Sequence, residues 1–104
     1  MEVMMNITQL NQENFEQVTG NQKVIVDFYA DWCGPCRAMA PTLESFADDR
    51  EDVTVAKLDV DANPELAQAF NVRSIPTIVA FKDGEVTQRV VGVVDRQRLD
   101  GLVA

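Results

Sequence analysis

Apolar positions along the chain follow two rhythms, β-branched runs and helical stripes, and the two alternate. Val3 to Thr8 predicts a short strand. Asn11 stands where it caps a segment through Val18, whose Phe15 and Val18 share a face before Gly20 ends it. Lys23 to Tyr29, KVIVDFY, lacks polar alternation, the pattern of a strand covered on both faces, and Asp27 is its one anomaly. A turn follows, then a helical stretch in which Met39, Leu43 and Phe46 recur at i, i+4 and i+7, with Pro41 expected to kink it. The acidic run from Asp48 to Asp52 reads as a solvated helix exit.

The second half repeats the alternation. Val53 to Val60 predicts a strand, and Asn63-Pro64-Glu65 supplies a cap, a first-turn proline and an early acid for a short helix through Phe70, ended by Asn71. After RSIP, the run TIVAFK, the dipeptide Asp83-Gly84 and EVTQRVV form a hairpin signal, so these two strands are expected to be antiparallel. Asp95 caps a final helix with Leu99, Leu102 and Val103 on one side, weakened by Gly101. The order βαβαβ then αββα packs most economically as an α/β domain, with a mixed sheet of about five strands and about four helices on its two faces. One such domain, residues 1–104, takes the whole chain.

Composition narrows the function. Of the 104 residues, 46% are hydrophobic and 25% charged, ordinary for one globular core. Seventeen acidic against nine basic residues leave a net charge of -8, which opposes attraction to phosphate and disfavours nucleic acid and anionic membranes as partners. The longest aliphatic or aromatic run, Ile78 to Phe81, is far short of the roughly 20 residues of a spanning helix. Glu2 sits where a secretory signal would carry positive charge, so a cytoplasmic chain is expected. Histidine is absent, which removes imidazole catalysis and imidazole metal ligands and leaves cysteine, carboxylate and lysine chemistry.

The two cysteines, Cys33 and Cys36, close a loop too short to staple a domain. Cys33-Gly34-Pro35-Cys36 lies between a buried-type strand and a helix, where backbone amides and the helix dipole favour an anion such as a thiolate. Two intervening residues put both sulfurs on one helical turn, so a mixed disulfide on one is resolved by the other. Cys33, at the exposed end, is the expected attacker, and Cys36, one turn deeper, the resolver. The bland alternative is half a zinc site, but the chain has no other cysteine and no histidine to complete four ligands, and Pro35 at a strand-to-helix junction suits redox chemistry better. With no histidine cation in the motif and a negative chain, the thiolate is weakly stabilised, which favours a reductant over an oxidant or isomerase.

Other residues gather around this motif. An ionised Asp27 in an apolar strand costs several kcal/mol without a partner, so it is expected to be protonated or paired, with Lys57 as the candidate partner. Trp32, beside Cys33, is expected to shield the site and offer contact surface. No glycine loop that cradles a nucleotide is present, so no bound cofactor is expected beyond a reversible Cys33–Cys36 disulfide.

YADWCGPCRAMAP, Asp27 six residues before the first cysteine, Ile75-Pro76-Thr77, FKDGE and Gly92 together resemble the thioredoxin family, from about Phe15 to Leu102. That resemblance implies the thioredoxin fold, with three parallel strands, an antiparallel hairpin at one side and a cis peptide before Pro76 packed against the cysteines. It implies a protein-disulfide reductase in which Asp27 assists proton transfer at the deeper cysteine. Clients would dock weakly on Trp32, Gly34, Pro35, Ser74, Ile75, Pro76 and Gly92, and electrons would come from a flavin- and NADPH-dependent thioredoxin reductase. A monomer is expected. The chain departs from the family pattern at Ser74, commonly glycine, at Tyr29, often tryptophan, and in a last helix that stops early. The rival class is a non-enzymatic binding or assembly module, or a metal-bridged dimer on the same fold.

Overall fold

A computed structural model describes residues 6–104. Five strands, β1 (Ile7–Gln9), β2 (Lys23–Tyr29), β3 (Thr54–Asp59), β4 (Thr77–Lys82) and β5 (Glu85–Val91), form one sheet in the order β1-β3-β2-β4-β5. The first three pair in parallel, while β4 runs antiparallel to β2 and β5 antiparallel to β4. This is the expected mixed sheet. Four helices complete it: α1 (Phe15–Thr19), α2 (Gly34–Asp49), α3 (Pro64–Ala69) and α4 (Arg96–Leu102).

Strand alternation sorts the core into two layers. Ile25, Val55, Ile78 and Ala80 pack under Met39, Leu43 and Phe46 of α2 and Leu99 and Leu102 of α4. Val24, Val26, Phe28, Ala56, Leu58 and Val79 pack against Phe15 of α1 and Leu66 of α3. The central strand β2 is therefore apolar at nearly every position because it is covered on both faces. Phe70 joins the second layer, its ring centroid 5.2 Å from Phe15 and 5.8 Å from both Phe28 and Phe81. Tilted and edge-to-face aromatic pairs of this kind contribute about 0.5–1.5 kcal/mol each beyond area burial.

Local signals mark most element ends. Asp95 accepts the Arg98 N–H at 2.8 Å and starts α4 as expected. Asn71, at φ 58, ends α3, with its N–H bonded to Gln68 O and the Val72 N–H to Ala67 O, both at 2.9 Å, the paired closure of a Schellman motif. Asp83 and Gly84 both hold positive φ, the requirement of a type I′ hairpin turn, and the ladder shifts register between Ala80 and Phe81. The helix α2 continues through Pro41 to Asp49.

Four details differ from the sequence reading. Residues 3–5 of the first expected strand lie outside the described residues, and β1 occupies Ile7–Gln9. Asn11 does not cap α1. Its Oδ1 accepts the N–H groups of Glu13 and Asn14 and stabilises a preceding turn, so the helix starts at Phe15. Asn63 makes no side-chain cap for α3; its Nδ2 donates to Asp59 O, and Asp59 Oδ1 takes the Asp61 N–H instead. The acidic exit of α2 is exposed but not solely solvated: Arg50 bridges Asp52 and Asp100, and Arg96 pairs with Asp49 at 2.9 Å.

Candidate functional site: a dithiol at the head of α2

The chain leaves β2 at Tyr29 and turns at once, Cys33 N–H bonding Ala30 O at 3.2 Å. Cys33 is the N-cap of the 16-residue α2, with Pro35 in its first turn. A helix start leaves backbone N–H groups without intrahelical acceptors, and the Cys36 N–H meets the Cys33 Sγ at 3.2 Å. The sulfur thus stands where a side-chain oxygen caps an ordinary helix. Cys33 and Cys36 form a disulfide, their Cα atoms 5.3 Å apart. Arg37 Nη1 donates to Asp31 O at 2.6 Å, which keeps a cation beside the turn while spending it on a neutral acceptor.

Both sulfurs are covered. Cys33 is 4% and Cys36 5% exposed, so surface access does not separate them as the sequence reading expected. The reason is tertiary: Ala30, Tyr29, Val60 and Ile75 close around the pair. The asymmetry lies in bonding instead, because Cys33 Sγ receives the helix N–H and faces Ile75 O at 3.8 Å. The Ile75–Pro76 peptide is cis, and Gly92, at φ 105, donates its N–H to Pro76 O at 2.8 Å. A side chain at that φ is disfavoured, which explains a glycine there.

Trp32 is 66% exposed beside the pair, and its Nε1–H donates to Asp61 Oδ2 at 2.7 Å. Asp61 was not singled out from the sequence. The β2–β3 register contains the signal: Tyr29 pairs with Asp59 in parallel, so residues two or three beyond those ends meet in space. Gly34, Pro35 and Ser74 are also exposed, on the same rim as Ile75 and Gly92.

Asp27 is 1% exposed and its Oδ1 has no hydrogen-bond partner. Burial pushes its carboxyl from 3.8 up to about 7, and the positive charge of Lys57 draws it only part of the way back. Lys57 is its neighbour in the β2–β3 register, on the same face of the sheet, but its ammonium sits over the Tyr29 ring, 4.3 Å from the centroid. The candidate ion pair is therefore loose, with Lys57 sharing its charge between the acid and an aromatic face. A cavity of about 90 Å³ opens between Cys36, Arg37, Tyr29 and Lys57, linking the deeper cysteine to the flank of the lysine. Burial also raises the Tyr29 phenol above its usual range, and Gln9 Nε2 donates to its oxygen at 3.0 Å.

No group of three or more His, Cys, Asp and Glu among the described residues is arranged to hold a metal ion. Nor is any described helix long and apolar enough to cross a membrane.

A disulfide within one helical turn, capped by a helix N-terminus on a mixed sheet, defines a dithiol–disulfide oxidoreductase. Comparisons with known proteins agree. The family profile for thioredoxin matches residues 6–104. The chain is 47% identical over 97 residues to a thioredoxin of Alicyclobacillus acidocaldarius, covering 91% of this chain and 92% of that one. It is 53% identical over 83 residues to a thioredoxin of Mycobacterium bovis, covering 79% and 72%. Among solved structures, a mutant thioredoxin from Halobacterium salinarum superposes with a TM-score of 0.88 at 42% identity, covering 99% of this chain and 92% of that one. The chain belongs to the thioredoxin family and is a protein-disulfide reductase working by dithiol–disulfide exchange. A non-enzymatic assembly module is not favoured.

Proposed function

We propose that Cys33 is the attacking thiolate and Cys36 the resolving thiol. The Cys33 thiolate attacks one sulfur of a client disulfide, forming a mixed disulfide and expelling the other client sulfur as a thiolate. Cys36 then loses its proton and attacks Cys33 Sγ, closing the Cys33–Cys36 bond and expelling the second client thiolate. Two electrons pass to the client, whose two thiolates take up protons from water, and one proton, that of Cys36, is released in the site. The observation that carries these roles is the Cys36 N–H directed at Cys33 Sγ from the head of α2, since that donor and the helix dipole stabilise negative charge on Cys33 alone.

Asp27 takes the proton that Cys36 gives up. A carboxyl held at about 7 is a competent acceptor near neutral pH, whereas an ordinary aspartate is too weak a base. The cavity beside Cys36 has room for several water molecules and reaches Lys57, the register neighbour of Asp27. Lys57 acts on Asp27 through charge, holding its acidity in the useful range. Clients dock on Trp32, Gly34, Pro35, Ser74, Ile75, Pro76 and Gly92: the first four are exposed, Ile75 and Gly92 are half-buried and Pro76 is buried, around otherwise covered sulfurs. The working unit is a single domain over residues 1–104, a cytoplasmic monomer without a bound cofactor, re-reduced by a flavin- and NADPH-dependent thioredoxin reductase.

Dithiol-dependent insulin reduction, with metal analysis of the same sample, tests this reading. Catalysis by metal-free protein is expected. Absence of turnover, or turnover that tracks bound metal, refutes it.

A further inference from the structure

The loop between α3 and β4 carries Ser74, Ile75 and Pro76, and its carbonyl groups are gripped from an unexpected side. Beyond the Schellman closure of α3, the carbonyls of Phe70 and Asn71 are taken by one side chain: Arg89 of β5 donates Nη1–H to Phe70 O and Nη2–H to Asn71 O, the latter at 2.8 Å. Arg89 stands opposite Val79 in the β4–β5 ladder, and Val79 belongs to the layer beneath α1 and α3, so alternation directs the arginine to that face. A planar guanidinium reaches two successive carbonyls at once, which a lysine does not.

The same strand holds the far end of the loop. Just beyond β5, the Gly92 N–H bonds Pro76 O at 2.8 Å. Within the loop, Thr77 Oγ1 donates to Ser74 O at 2.5 Å, and Ile75 O lies 3.8 Å from Cys33 Sγ. β5 therefore clamps the loop at residues 70–71 through a side chain and at residue 76 through its backbone. We propose that Arg89 is a positioning residue for client docking: its fork on the Phe70 and Asn71 carbonyls holds the 72–76 loop in the conformation a client disulfide meets. This rests on the reading of Ser74, Ile75 and Pro76 as docking surface.

Without the fork, the exposed Asn71 carbonyl turns to water, so the fold loses little, but the loop must be ordered by each client at an entropic cost. The effect belongs in KM rather than in thiol chemistry.

The test compares wild type, Arg89→Ala and Arg89→Lys in two reactions. One is steady-state insulin reduction with dithiothreitol as donor. The other is the rate at which the reduced protein reacts with dithiobis(nitrobenzoate), a small disulfide with little need of a docking surface. For Arg89→Ala the insulin KM should rise about three- to ten-fold, the scale of a lost charge-assisted hydrogen bond only partly transmitted. The kcat and the small-disulfide rate should hold, amide exchange at residues 72–75 should quicken, and Arg89→Lys should lie between. An unchanged insulin KM in a less stable Arg89→Ala would make Arg89 a fold element only, and equal losses in both reactions would assign its effect to the thiols; either overturns the inference. A wild type that reduces the small disulfide but not insulin would overturn the docking reading itself.

Discussion

Replacing Asp27 by Asn keeps the shape of the side chain and removes its titration, which separates the two consequences of burying an acid. In the folded protein the carboxyl is raised from 3.8 to about 7, with burial the dominant cause. The unfolded chain gives up this proton near its ordinary value, so wild-type stability falls as pH climbs from about 4 through about 7 and then levels off. At about 1.4 kcal/mol per decade, the loss is on the order of 4 kcal/mol. The asparagine carries no such loss, although its buried amide lacks a partner where Asp27 Oδ1 already lacks one, a cost of about 1–3 kcal/mol. Asp27→Asn should therefore be the more stable protein at pH 8.5 and gain little or nothing at pH 4. Urea unfolding of the oxidised forms at both pH values measures this. With a slope of about 1–3 kcal/mol per molar urea, the midpoints should separate by on the order of one molar or more at pH 8.5. A stability difference identical at the two pH values would refute the buried, titrating carboxyl. In the same variant, insulin reduction should slow near neutral pH because Cys36 loses its proton acceptor, and wild-type turnover throughout pH 6 to 9 would remove Asp27 from catalysis.

Cys36→Ser should accumulate mixed disulfides with clients, detectable on non-reducing gels, while Cys33→Ser traps few; trapping mainly through Cys36 would reverse the roles. Emission from Trp32, the only tryptophan, should be quenched in the disulfide form and recover on reduction, and emission constant across a redox titration would separate the indole from the sulfurs. Asp95→Ala should lower stability by about 1 kcal/mol through loss of the cap on the Arg98 N–H, read by urea unfolding, with Asn restoring most of it.

What the amino-acid sequence determined by itself is whatever depends on bonds within a few residues. The Cys33–Cys36 spacing, the Asp95 cap, the Asp83-Gly84 turn and the doubly covered KVIVDFY strand are each settled by local geometry or by solvent exclusion along one element. Asn11 and Asn63 mark the boundary of that kind of reading, since either side chain has several backbone groups in reach and the turn, not the helix, took them. Contacts between distant segments were decided only when the strands took the order β1-β3-β2-β4-β5. That order brought Asp61 to the Trp32 indole, set Lys57 over the Tyr29 ring, and laid Arg89 against the end of α3. The physical reason is that a side chain's hydrogen-bonding capacity is written in its chemistry, but its partner is chosen by packing. The near-equal burial of Cys33 and Cys36 shows the same limit: position along a helix orders the two sulfurs, and the cover supplied by Val60 and Ile75 from other segments erases the difference in exposure.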